Sequence, residues 1–120
     1  AVKTMLSNQK GTLFFTGATA SLRAKPPFTG FAAAKAGLRA LAQGMAREFS
    51  PLGIHVVHTI IDGVIDGERA RNQFPDTVKA KGKGGLLQLE AIAETYWAIH
   101  NQHPSAWTHE LDLRPFKEPF

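Results

Sequence analysis

The first stretch whose residue types bear on chemistry is Thr16, Gly17, Ala18, Thr19, Ala20 and Ser21. A glycine turn that leads from a strand into a helix lets backbone N–H groups meet a pyrophosphate. The beginning of that pattern is present, but its later glycines are absent, and Pro26 and Pro27 intervene before any helix. A phosphate cradle is therefore not expected here. His100 and His103 fall at a helix exit without a carboxylate at helical spacing. His55 and His58, three apart in an expected strand, point to opposite faces. No metal site follows from them. No Gly-x-Ser-x-Gly elbow occurs, so hydrolase chemistry has no nucleophile. The turn-rich loop 62–67 follows an apolar run, and open α/β sheets bind ligands at that carboxyl edge.

The elements that must position these residues are legible in outline. Residues 1–10 read as the last turns of a helix, with Val2 and Leu6 four apart. Residues 12–16 are short and rich in β-formers, which predicts a buried strand. A long Ala-rich helix runs over 29–49, with Thr29 as its cap and Ser50 and Pro51 as its stop. Phe31, Leu38, Leu41, Met45 and Phe49 form an apolar stripe on it. Ala32, Ala33, Ala34, Ala36, Gly37 and Ala40 permit close approach of a neighbour. Residues 54–61 are a β-branched, nearly continuous apolar run, expected as a strand covered on both faces. A short helix over 68–74, ended by Pro75, precedes an expected mobile loop at 76–85. A further helix spans 89–101, with Leu89, Ile92, Ala93, Tyr96 and Ile99 on one face; Tyr96 and Trp97 are read as packing residues. Residues 107–114 alternate, which predicts a third strand. The order strand, helix, strand, helix, strand, with long connections, predicts an α/β fold with three parallel strands flanked by helices.

Composition narrows the field. A chain of 120 residues is one domain that buries about two-thirds of its unfolded surface. With 43% hydrophobic and 20% charged residues it is an ordinary globular sequence. The lack of cysteine excludes disulfides and thiolate metal sites and fits a reducing compartment. No run of ~18 apolar residues and no signal-peptide pattern occur, so no membrane association is expected and the cytoplasm is the default. The net charge of +4 includes Lys79, Lys81 and Lys83, a cluster without interleaved aromatics. A solvated surface is the better reading, with no nucleic acid as partner.

The stretch 11–49 resembles the middle of a short-chain dehydrogenase/reductase. That family places a Ser just after one strand and a Tyr-x-x-x-Lys pair at the start of the next helix. Here Phe31 and Lys35 stand where Tyr and Lys would be, and Ala18 stands at the Ser position. The resemblance implies a partial Rossmann-like fold covering residues 1–120, the carboxyl-terminal half of a seven-stranded sheet. It also implies NAD or NADP as cofactor and a small carbonyl or alcohol as substrate. By resemblance Ala18, Phe31 and Lys35 are the catalytic positions. Lys35, Gly63, Val64 and Ile65 are the cofactor-facing ones. The family's loop there reads Pro-Gly-x-Val/Ile-x-Thr, from which Asp62 and Gly67 depart. Residues 106–115 resemble the final strand of an oxidoreductase-like branch.

In the family the phenol passes the proton and the Lys lowers its pKa and holds the nicotinamide ribose, while the Ser orients the substrate oxygen. Phe31 has no ionisable proton, and Ala18 has no hydroxyl. Thr16, Thr19 and Ser21 are nearby hydroxyls that could substitute. Lys35 is either a ribose contact or a solvated helix lysine. Two functions are carried forward. One is an NAD(P)-dependent oxidoreductase fragment that is inactive alone. The other is a non-catalytic homodimerising module that pairs through helix 29–49 or through an exposed first strand.

Overall fold

In a computed structural model, which describes residues 1–119, three parallel strands lie in the order β1, β2, β3. They are β1 (Gly11–Ala18), β2 (Ile54–Ile61) and β3 (Glu110–Leu113). β1 is preceded by helix α1 (Val2–Asn8). The long helix α2 (Thr29–Phe49) crosses over to β2. Helices α3 (Glu68–Gln73), α4 (Pro75–Lys81) and α5 (Leu89–His100) lie between β2 and β3. Register is continuous: Gly11 pairs with Ile54, Ala18 with Ile61, and Ile61 with Leu113. The three carboxyl ends therefore finish side by side.

The β-branched run of β2 forms the core because it lies between two strands, with α2 packed on one of its faces. All eight of its residues are buried. Alternation sends His58 toward α2 and His55 toward the opposite face. Glu110 of β3 meets both His58 and Arg39 of α2 on the first face. On the other, α5 covers β1: Tyr96 stacks on Phe14 with ring centroids 4.5 Å apart, and Thr12 pairs with His100. Ala32 and Ala42, ten residues apart on one side of α2, are its buried positions. Small residues there let the helix sit close to the sheet.

Several expectations are corrected. β1 is longer than 12–16 and half-buried, since β2 pairs with one side of it and no described strand pairs with the other. Thr29 does not cap α2: the helix begins at Thr29, Phe28 holds the cap position, and no side chain closes the end. The expected apolar stripe is not one buried face: Phe31 and Leu41 are half exposed, Ala32 and Ala42 face the sheet, and Ala33, Ala34, Ala36 and Ala40 are exposed. Residues 75–81 form a helix where a loop was expected. Pro75 sits at its first turn, where no N–H is needed, with Asp76 near the positive end and Lys79 and Lys81 near the negative end. Leu89 and Ala93 are exposed; the packed face of α5 is Ile92, Thr95, Tyr96 and Ile99. β3 is only four residues long: a 3₁₀ turn occupies Pro104–Ala106, and regular pairing begins at Glu110 rather than at 107.

Candidate functional site

The carboxyl ends of β1 and β2 carry most of the residues singled out in the sequence. Ala18 closes β1, and its backbone N–H donates to the Ser21 hydroxyl at 3.0 Å. A 3₁₀ turn at Thr19–Ser21 follows directly, which places three hydroxyl-bearing or small residues at the strand end. Lys35, on the second turn of α2, reaches back over the sheet edge. Its Nζ donates to the Thr16 carbonyl at 2.8 Å and lies 5.7 Å from the centre of the Phe31 ring. The spacing of four in a helix stacks these two side chains on one face. An ammonium over an aromatic face is attractive, so the benzene ring and Lys35 form a self-consistent pair without a phenol.

Gly63, Val64 and Ile65 follow β2 at the same edge. The Val64 carbonyl accepts from the Leu87 N–H at 2.9 Å, and Ile65 bridges Leu87 in a short parallel pairing. These contacts fix the loop from outside. Gly63 has φ 149°, and a Cβ there would press on Pro115 at 2.9 Å, so a side chain is excluded. The N–H groups of Gly63, Val64 and Ile65 have no hydrogen-bond acceptor among the described residues. Residues 63–65 are half-buried and follow β2 at the same end of the sheet as Lys35; backbone amides and an ammonium are donors from which a carboxamide oxygen and a ribose hydroxyl accept.

Asp62, which departs from the family pattern, is buried. It accepts from the Thr19 hydroxyl, pairs with Arg114 at 3.2 Å and lies 3.9 Å from Arg23. A buried carboxylate is tolerated because cations and a donor surround it. Thr16 pairs with Tyr96 at 3.1 Å. Both threonine hydroxyls beside Ala18 thus have partners other than a ligand.

Sequence reasoning missed the polar network behind this edge. Arg39 grips Glu110 with two hydrogen bonds of 2.8 Å each, and His58 Nδ1 lies 3.0 Å from the same carboxylate. The Arg39 fork, the largest influence, and the His58 contact hold the Glu110 carboxyl down at about 2, against the opposing effect of burial. The available signal was His58 lying within a nearly continuous apolar strand. The pairing of His58 with Glu110 in register appears only once β2 and β3 are aligned.

At the opposite, amino edge a cleft of about 900 Å³ is lined by Lys10, Thr12, His55, His100, Gln102 and Trp107, among others. His55 stacks flat on Trp107 at 4.6 Å. Its Nε2 lies 2.7 Å from the Thr108 carbonyl, and burial is the main cause that keeps the ring below its ordinary pKa. None of the expected site residues reaches this cleft. No helix among the described residues is long and apolar enough to cross a membrane. No cluster of three metal-ligating side chains occurs among them.

The fold has counterparts among known proteins. A family model described as short chain dehydrogenase matches residues 1–77. The chain is similar to a short-chain dehydrogenase from Rhodopseudomonas palustris, with 43% identity and a TM-score of 0.70; the match covers 96% of this chain and 43% of that one. It is similar in fold to a serine dehydrogenase in a closed form complexed with NADP+, with 16% identity and a TM-score of 0.83, over 99% of this chain and 50% of that one. A third similar structure is an alcohol dehydrogenase from Thermococcus sibiricus complexed with 5-hydroxy-NADP, at 19% identity and a TM-score of 0.73, over 98% and 47% of the two chains. The chain spans about half the length of these solved structures. No curated protein matches it.

Proposed function

Since the chain belongs to the short chain dehydrogenase family, we propose that it carries the nicotinamide-facing part of an NAD(P)-dependent oxidoreductase site whose proton relay is silent. The observation that carries this reading is the Lys35 ammonium, held to the strand end and resting over Phe31. Lys35 is tied to the Thr16 carbonyl, while the ring beside it has no proton to give. Ala18 likewise offers a bound oxygen no side-chain donor. Lys35 and the 63–65 loop would hold the nicotinamide ribose and carboxamide. The bound nucleotide would supply or accept hydride from a small alcohol or carbonyl. Related structures complexed with NADP+ or 5-hydroxy-NADP support the choice of cofactor class.

The test is a titration of the purified chain with NADPH and NADH, following nucleotide fluorescence, beside a turnover assay on a panel of small alcohols and carbonyls. Saturable binding without turnover is the expected result. Turnover by the unaltered chain would overturn the silent relay, and failure of both nucleotides to bind would overturn the site.

A second reading is a non-catalytic homodimer, and it rests on the outward face of α2. Phe31 and Leu41 are half exposed there, and added side chains at Gly30, Gly37 and Gly44 would meet nothing within 4 Å. Such a face lets a second helix approach closely. Sedimentation mass separates this reading from a monomer.

A further inference from the structure

We propose that the Ser21 hydroxyl proton is given to Nε2 of His58. Ser21 and His58 are then positioning residues that brace the carboxyl end of β1, and that hydroxyl is withdrawn from any substrate oxygen. The direction of each bond follows from its neighbour. Arg39 holds Glu110 ionised at neutral pH, and an ionised carboxylate only accepts. Nδ1 of His58, 3.0 Å away, must therefore be the donor. In the neutral imidazole this leaves Nε2 as a lone pair. His58 is fully buried, and Nε2 has no hydrogen-bond partner among the described residues. A buried acceptor of this kind requires a donor.

The hydroxyl beside it is Ser21, which is itself buried. Both Nε2 and the Ser21 oxygen lie within 3 Å of the point that a Cβ on Gly17 would occupy. Glycine at 17 puts no side chain at that point, and the Ser21 hydroxyl turns toward Nε2 across it. The Ser21 oxygen already accepts the Ala18 N–H, and its own proton is the part left to give. The result is one polarised chain. It runs from the Ala18 N–H to Ser21, from Ser21 to His58, and from His58 to Glu110, which Arg39 holds from α2.

The consequence for the site rests on the family reading, because that reading places Ala18 where a substrate-orienting hydroxyl would stand. Thr16 is paired with Tyr96 and Thr19 donates to Asp62. With Ser21 committed to His58, none of the three neighbouring hydroxyls replaces the one that Ala18 lacks. The hydrogen-bond chain itself is tested without nucleotide, so its failure is separable from failure of cofactor binding.

The experiment uses the whole chain with ¹⁵N-labelled histidine, at pH 7.5, and reads both ring nitrogens of His58 by long-range proton–nitrogen correlation. Nδ1 protonated, Nε2 bare, and a slowly exchanging hydroxyl proton correlated with Nε2 are expected. Ser21→Ala removes that proton and shifts the Nε2 resonance, and Ser21→Thr restores both. A proton on Nε2 in the unaltered chain would overturn the proposal without any variant. So would an Nε2 resonance indifferent to Ser21→Ala in a folded protein.

Discussion

At Glu110 a single carboxylate joins α2, β2 and β3, and its chemistry sets an acid limit on stability. Its folded pKa, about 2, lies below the ordinary 4.5. A depressed carboxyl stabilises the fold fully above the unfolded value, and this is lost as pH falls from about 4.5 toward 2. Glu110→Gln is expected to cost on the order of 2 kcal/mol at pH 7, the shift being discounted because Arg39 is partly exposed. Urea denaturation at pH 7 and near pH 2.5 checks this: the gap between variant and parent should narrow in acid. A gap of equal size at both pH values would mean that the carboxylate charge is not responsible. Little of this network was legible in the sequence. Lys35, Phe31 and Ala18 stood out because their spacing matched a family pattern, whereas Arg39, His58 and Glu110 are scattered over 72 positions and meet only after strand pairing.

Among the elements, α2 and α5 differ in how they hold the sheet. α2 approaches through alanines and clips on through Arg39, while α5 relies on Tyr96, whose ring stacks on Phe14 and whose hydroxyl meets Thr16. Tyr96→Phe keeps the stack and should cost about 1 kcal/mol, while Tyr96→Ala should cost about 3 kcal/mol. Thermal or urea melts distinguish these outcomes; equal losses would mean that the ring contributes little. The periodicity of α2 was readable, but its inward face was not. Phe31 and Leu41 attract the eye on a hydrophobic wheel, yet the close fit to the sheet selects Ala32 and Ala42. If the outer face pairs two copies, Leu41→Glu should turn a dimeric mass into a monomeric one while leaving the circular dichroism unchanged. A dimer that survives this change would place the contact elsewhere, with the open edge of β1 the next surface to alter.

Across the whole molecule, the strand–helix alternation was enough to give three parallel strands, because β2 is apolar on both faces and the connections are long. The segment 75–81 was misread because Pro75 reads as the end of a helix and the Lys, Gly and Thr of 76–85 as a loop, although Pro fits the first turn of a helix and the lysines fit its last. The carboxyl edge brings Lys35, Ala18 and the 63–65 loop to the same end of the sheet, while the amino edge holds a separate cleft. The account stands on a nicotinamide nucleotide meeting the first of these edges. An amide-resolved NMR titration of the ¹⁵N-labelled chain with NADPH measures that directly. Saturable shifts should appear at Lys35 and at Gly63, Val64 and Ile65, with residues at the amino-edge cleft unmoved. Shifts confined to that cleft, or none at the carboxyl edge up to saturating nucleotide, would contradict the account.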